Sequence, residues 1–153
     1  YVHTVVSCYK EAIASVLEGT FTEEKKDAWD ERLATVFNRG FWDGYYQGQT
    51  IGEWNKNYGS CATEKKVLVG KVVKYFSKLG VAEVAVEASE FGVGDKLLVT
   101  GNATGALWLT ADEIRYDLKP VERALKRQRV SIPVPEKVRP NDKLYRIDIV
   151  NPE

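Results

Sequence analysis

Residues 36–48 read Val-Phe-Asn-Arg-Gly-Phe-Trp-Asp-Gly-Tyr-Tyr-Gln-Gly, placing three glycines, an arginine and a run of aromatic rings in one short stretch. Such a segment is too glycine-rich for a helix and too aromatic for a solvated loop. Its rings must dock on something while the backbone bends. Before it the apolar spacing is helical; after it the spacing is that of strands. The stretch therefore predicts a junction between a helical arm, residues 1–40, and a β-rich body, residues 65–153. Residues 41–64 are the joining loop, with Trp54 and Tyr58 as its expected anchors.

The arm reads as two helices. Val2, Val5, Val6, Tyr9, Ile13, Val16 and Leu17 recur at the spacing of one helix face. Gly19 is placed to end that helix, and Thr22, followed by Glu23 and Glu24, to cap the next. Trp29, Leu33, Val36 and Phe37 form the second apolar stripe, and the short connection predicts antiparallel packing. In the body, strands are expected at 65–76, 81–86, 96–100, 106–110, 113–118, 129–133 and 143–149. Gly70 inside the first of them signals a bulge or a close backbone approach. Phe91–Asp95 reads as a tight turn. Six or seven short strands at this spacing predict a small β-barrel, so the expected class is α+β and mainly β.

The charges cancel, 22 basic against 22 acidic, so no global field recruits nucleic acid or a membrane. Locally they do not cancel. Residues 11–32 hold seven acids and three bases, and residues 119–139 seven bases and two acids. The second segment reads either as a solvated face or as a docking or RNA-contacting patch centred on Arg123, Lys126, Arg127 and Arg129. No apolar run is long enough to span a bilayer, and no signal peptide is recognisable. With two cysteines, Cys8 and Cys61, neither a disulfide framework nor a zinc site is expected, and cytoplasmic residence follows as an expectation. Methionine is absent, even at position 1, which predicts a fragment or a processed product.

Residues able to carry chemistry are sparse. Gly92-Val93-Gly94-Asp95 lacks the helix and the Gly-Lys-Ser/Thr ending of a phosphate loop and reads as a turn. His3 is the single histidine, and it sits at the start of a helix, a poor place for a preorganised base. Cys8 reads as a small residue at a helix interface. No catalytic residue and no metal ligand is therefore assigned. In the aromatic stretch two readings stand: Phe41, Trp42, Tyr45 and Tyr46 glue the arm to the body, or Arg39 with some of these rings faces outward to stack on a base or a partner side chain.

The motifs together resemble the C-terminal part of the collagenase-like peptidase family, whose catalytic type is unassigned. Tyr1, Val2, Val5, Val6 and Tyr9 match the opening of its helix. Arg39, Phe41, Gly44, Tyr45, Tyr46 and Gly48 match its aromatic segment, Val69 to Tyr75 its Val-Gly-x-Val-x-x-Tyr strand, Phe91, Gly94 and Asp95 its turn, and Asp142, Leu144, Tyr145 and Arg146 its ending. Asp43 and Gln47 depart from the pattern. The resemblance covers nearly the whole chain. It implies a barrel like the second domain of translation elongation factors and a catalytic (β/α) barrel upstream on the same polypeptide. Relatives are peptidases, that is hydrolases, while others act in hydroxylation of tRNA, ribosomal RNA or quinone precursors, and some carry an iron–sulfur cluster. No cysteine cluster is matched here, so no cofactor is carried over.

The expectation is thus a C-terminal accessory domain, not catalytic by itself, that presents RNA or protein to the catalytic domain. Arg39, Phe41, Tyr45, Tyr46, Arg123, Lys126, Arg127 and Arg129 are its binding candidates. The alternatives are a protease fragment with its own activity and a structural docking or dimerisation module.

Overall fold

The computed structural model describes residues 1–41, 48 and 60–150. The chain divides into two compact units, Tyr1–Lys65 with Ile149–Glu153, and Lys66–Asp148.

The first unit is built on α1 (Val2–Leu17) and α2 (Glu23–Ala34). The turn between them is specified by its own residues. Gly19 adopts φ +68, and the amides of Thr20 and Gly19 donate to the carbonyls of Ser15 and Val16 at 2.8 and 3.1 Å. This is the paired closure that a left-handed residue makes possible at a helix end. Thr22 is extended, and its hydroxyl accepts from the Lys25 amide at 3.4 Å, so it caps α2 as its residue type predicts. Glu23 and Glu24 stand in the first turn and Arg32 in the last, each favourable to the helix dipole.

The helices run antiparallel, and the seam between them is made of small side chains. Cys8 and Ser15 are buried and Ala12 is half-buried, with the Cys8 thiol against the Trp29 carbonyl. Glu11 closes the seam: its carboxylate accepts from Arg32 Nη1 at 2.5 Å and from Trp29 Nε1 at 3.1 Å. These two donors, Arg32 first, hold the Glu11 pKa below its ordinary value of 4.5. A carboxylate with a depressed pKa contributes stability that is present above the ordinary value and lost as pH falls through the folded one. The helical signal of the chain should therefore melt at lower temperature at pH 3 than at pH 7, and Glu11→Gln should narrow that difference. An identical pH dependence in the two proteins, followed by far-ultraviolet circular dichroism, would contradict this role.

The second unit holds most of β1 (Glu64–Phe76) and β10 (Lys143–Ile149), with β2 (Val81–Val86), β3 (Phe91–Gly92), β4 (Lys96–Gly101), β5 (Gly105–Thr110), β6 (Ile114–Tyr116), β7 (Lys119–Val121), β8 (Arg123–Ala124) and β9 (Arg129–Pro133). Eight strands form one sheet in the order β5-β4-β10-β1-β2-β9-β6-β7, and β3 pairs separately with β8. The strand pairs with a resolved register are all antiparallel. Val69, Val72, Val84, Val86, Leu97, Val99, Ile114, Val130, Ile132 and Leu144 are buried together with Phe91. Their period-2 placement is clearest in β2, where Ala82, Val84 and Val86 are buried in alternation.

The expected barrel is corrected by this order: the sheet is open, with β5 and β7 as its edges. The β7 edge has a chemical reason. Asp117 and Leu118 both have positive φ, 50 and 63, the geometry of a tight two-residue hairpin closed by the Tyr116–Lys119 pair. Hydrogen-bonded and non-bonded pairs alternate from there, so Pro120 turns its ring nitrogen to the free edge, where it has no hydrogen to offer a further strand. Among the described residues β3, β7 and β8 are additional to the expected strands. They are two or three residues long, too short to display a period.

Two glycines are required by close approach. A Cβ at Gly70 would lie 1.8 Å from the Ala85 carbonyl oxygen, and one at Gly101 1.8 Å from Asp142 Oδ1. The close approach expected at Gly70 is met there, and the ladder register shifts further along the strand, between Val72 and Lys74. Gly70→Ala should cost about 3 kcal/mol or more, because the obstructing atom is backbone. A denaturant titration showing less than about 0.5 kcal/mol, the range of an unremarkable surface change, would contradict the packing at β1–β2.

Candidate binding surfaces

The sequence candidates separate once they are placed. Tyr45 and Tyr46, with Trp42, Trp54 and Tyr58, lie outside the described residues. Arg39 and Phe41 are on the surface, Phe41 with 60% of its area exposed. Phe41→Ala should therefore fall within about 0.5 kcal/mol of the parent in a denaturant titration. A loss of about 3 kcal/mol, the cost of truncating a buried ring, would contradict its exposure.

The basic segment forms β8, a turn and the start of β9. Gln128 shapes the turn: its side-chain oxygen accepts from the Leu125 amide at 2.8 Å. Arg127 has φ +71 and donates its amide to the Val86 carbonyl at 2.7 Å. Arg123 lies 3.8 Å from Glu90, and Arg129 lies 3.8 Å from Glu83. The four basic residues differ in their neighbours. Two face carboxylates, while Lys126 and Arg127 stand at the turn with no ion pair among the described residues. Surface pairs of this kind add little stability, but they neutralise the field that an anionic polymer would feel.

A different surface was not signalled by composition. Cross-strand register aligns Trp108 on β5, Leu98 on β4 and Tyr145 on β10 in one row across three strands. Directly opposed residues share a face, so the three side chains stand together. Lys96 Nζ sits 4.9 Å from the Trp108 ring centroid, and Lys66 Nζ sits 4.8 Å from that of Tyr145. Sequence reading assigned Tyr145 to a motif and Trp108 to a strand. What joins them is the pairing of β10 with β4, which strand-by-strand periodicity does not reveal.

No arrangement suited to bond cleavage is assembled among the described residues. His3 is exposed, Cys8 is buried and Cys61 is exposed. Lys25 Nζ lies 3.3 Å from Ser15 Oγ, but Ser15 is buried in the helix seam and the ammonium also donates to the Thr20 carbonyl at 2.7 Å. This contact fastens the interhelical turn. An open cleft of about 620 Å³ adjoins Asp142, whose Oδ2 accepts from Thr104 Oγ1 at 2.5 Å and from the Arg139 amide at 2.8 Å. That carboxylate is occupied in holding two turns together. No group of three or more His, Cys, Asp or Glu among the described residues is placed to hold a metal ion. None of the described helices is long and apolar enough to cross a membrane.

Among the described residues of the first unit, α1 exposes an apolar face. Val2, Val6, Tyr9, Ile13 and Val16 are between 53% and 70% exposed, and Leu17 is 81% exposed. Their spacing of four and three residues keeps them in one stripe. The sequence identified the face; the structure turns it away from α2.

Comparison with known proteins gives these surfaces a family. Residues 1–56 match the model of peptidase family U32. Over 148 residues, 97% of the chain, the sequence is 60% identical to a collagenase of Porphyromonas gingivalis, and it is 59% identical to a second collagenase of that organism. An uncharacterized protease of Methanocaldococcus jannaschii is 30% identical over 152 residues, 95% of the chain. The chain spans 36%, 41% and 36% of the lengths of these three relatives. Among solved structures, the C-terminal domain of a U32 peptidase from Geobacillus thermoleovorans is 20% identical with a TM-score of 0.49, over 51% of this chain and 89% of that one. The class defined by the sequence matches is a peptidase-family domain. These matches support a domain of the collagenase-like peptidase family.

Proposed function

We propose that this domain is a non-catalytic accessory part of a collagenase-like peptidase: α1 anchors it to a catalytic (β/α) barrel of the same polypeptide, and the β-rich unit positions a macromolecular substrate. The observation that carries this reading is the outward apolar stripe of α1. An amphipathic helix gains most of its stability by burying its apolar face. Here the small side chains are buried against α2 and the large ones are not, so a further partner is needed to remove them from water.

For the substrate, polypeptide is favoured over RNA. The relatives are named collagenase and protease, and two of the four arginines and lysines expected to touch RNA already face Glu90 and Glu83. The elongation-factor likeness belongs to the same reading, as a strand framework that carries a macromolecule.

Two measurements test the proposal. The isolated chain should show no turnover of casein, gelatin or fluorogenic peptides; turnover that survives repurification and vanishes on one substitution in this chain would overturn it. The chain should also bind a separately produced catalytic part. Ile13→Asp should weaken that binding by about 2 kcal/mol, roughly 30-fold, the transfer cost of one large apolar side chain. Unchanged binding in that variant would remove α1 as the anchor.

A further inference from the structure

We infer that the free edge of β5 pairs with a second copy of this chain, joining two sheets across a two-fold axis at Trp108. The inference goes beyond the accessory-domain reading and does not rest on it, since α1 and β5 lie in different units.

The two edges of the sheet are built differently. Proteins blunt an exposed edge with charge, proline or brevity. The β7 edge is three residues long and carries Lys119 and Pro120. The β5 edge is six residues long, and none of them is charged or a proline. Among the described strands β5 pairs only with β4. The uncharged stretch extends beyond the strand: no charged side chain occurs from residue 97 to residue 111, in a chain where 29% of residues are charged. Apart from Lys96 at its start, the hairpin that ends the sheet therefore lacks the charges that keep an edge away from other chains.

The ladder says which groups face outward. The Ala111 amide donates to the Asp95 carbonyl at 3.0 Å, one step beyond the Lys96–Thr110 pair. Hydrogen-bonded and non-bonded pairs alternate in an antiparallel ladder, so Leu109 and Leu107 bond to β4, while Thr110, Trp108 and Ala106 turn their amides to the free edge.

A second copy fits that edge residue by residue. Opposed residues of a ladder share a face, so a two-fold axis normal to the sheet must pass through a residue rather than between two. At Trp108 the axis opposes that residue to the partner's Trp108, sets Ala106 against the partner's Thr110, and offers each outward amide a carbonyl. The small Ala106 leaves room beside the rings. On the inner face Leu109 meets the partner's Leu107, so the row Leu97–Leu109 continues through the partner's Leu107 to the partner's Val99, apolar throughout. Leu109 is only partly buried in the single chain, and pairing covers it. Acids and bases number 22 each, which leaves no net charge to hold copies apart. A foreign extended segment is selected through pockets and charges for its side chains. This edge is uncharged, and it matches its own sequence.

Sedimentation equilibrium of the chain over a dilution series reads the association. A species of twice 17.3 kDa should form. Trp108→Lys removes the ring and sets two ammonium groups face to face at the axis, and should weaken association about tenfold or more. Because that change can disturb the sheet, Thr110→Pro serves as a second variant. It removes one outward amide and no bond to β4, and it follows Leu109, whose extended backbone suits a proline. It should weaken association about tenfold, through one hydrogen bond lost at each end of the pair. Disulfide formation in a Cys61→Ser background reads the register: Ala106→Cys and Thr110→Cys chains should cross-link when mixed and not when oxidised separately. Ile13→Asp, on the α1 stripe, should leave association unchanged. The inference is overturned if the chain stays monomeric at its highest concentration, if neither edge variant shifts the equilibrium, if mixing the two cysteine chains gives no added cross-link, or if Ile13→Asp dissolves the dimer. The first three results leave the α1 anchor untouched, and the last would assign its stripe to the second copy instead.

Discussion

Small side chains close the seam between α1 and α2, and the exposure of the arm's large apolar side chains depends on that choice. The distance between packed helices is set by the side chains at the contact. With Cys8, Ala12 and Ser15 at the seam, and Glu11 tied to Arg32 and Trp29 across it, the helices hold together without Val6, Tyr9 or Ile13. The hairpin is locally complete, with its turn closed at Gly19 and its second helix capped by Thr22. The stripe on the other side of α1 is consequently surplus to the hairpin, which is why it reads as an attachment surface.

The β-rich unit depends on a different set of constraints, and they account for most of the family motif. Gly70 admits the Ala85 carbonyl at a distance no side chain tolerates. The Asp95 carboxylate accepts from the Gly92 amide at 2.7 Å and closes the turn that Gly94 enters with φ +90. Asp142 joins the Arg139 turn to Thr104, and Gly101 leaves it the room to do so. Arg146 binds Asp148 through two nitrogens and donates to the Glu90 carbonyl at 2.6 Å, so it too ties strand to loop. Asp142 is buried, and a buried polar group is held by complete hydrogen bonding. The residues that identify the family within this unit are chiefly those that fix its turns and close approaches.

Much of this was legible beforehand where the signal is local. Caps, the glycine at a helix end, the turn at Phe91–Asp95, the strands Val81–Val86, Arg129–Pro133 and Lys143–Ile149, and the close approach at Gly70 follow from residue type and period. What was not legible depends on which strand pairs with which. An open sheet and a barrel contain the same alternating strands, and only the edges at β5 and β7 tell them apart. The row Trp108–Leu98–Tyr145 joins positions nearly forty residues apart in the chain. The direction in which the α1 stripe faces was equally hidden, since a helical period reports that a face exists and not what covers it. The basic segment was visible as composition, but the approach of Arg129 to Glu83 and of Arg123 to Glu90 is a property of the folded sheet.

The central claim is that the α1 stripe is an interface rather than a solvated surface. Hydroxyl-radical footprinting of the chain, alone and mixed with the catalytic part of a collagenase-like peptidase, tests it at the level of side chains. Tyr9 is 62% exposed and Leu118, at the β6–β7 hairpin, is 88% exposed, so both should be modified in the chain alone. The account predicts that Tyr9 becomes protected on mixing while Leu118 does not. Tyr9 remaining as reactive in the mixture, under conditions where the two parts co-purify, would contradict it.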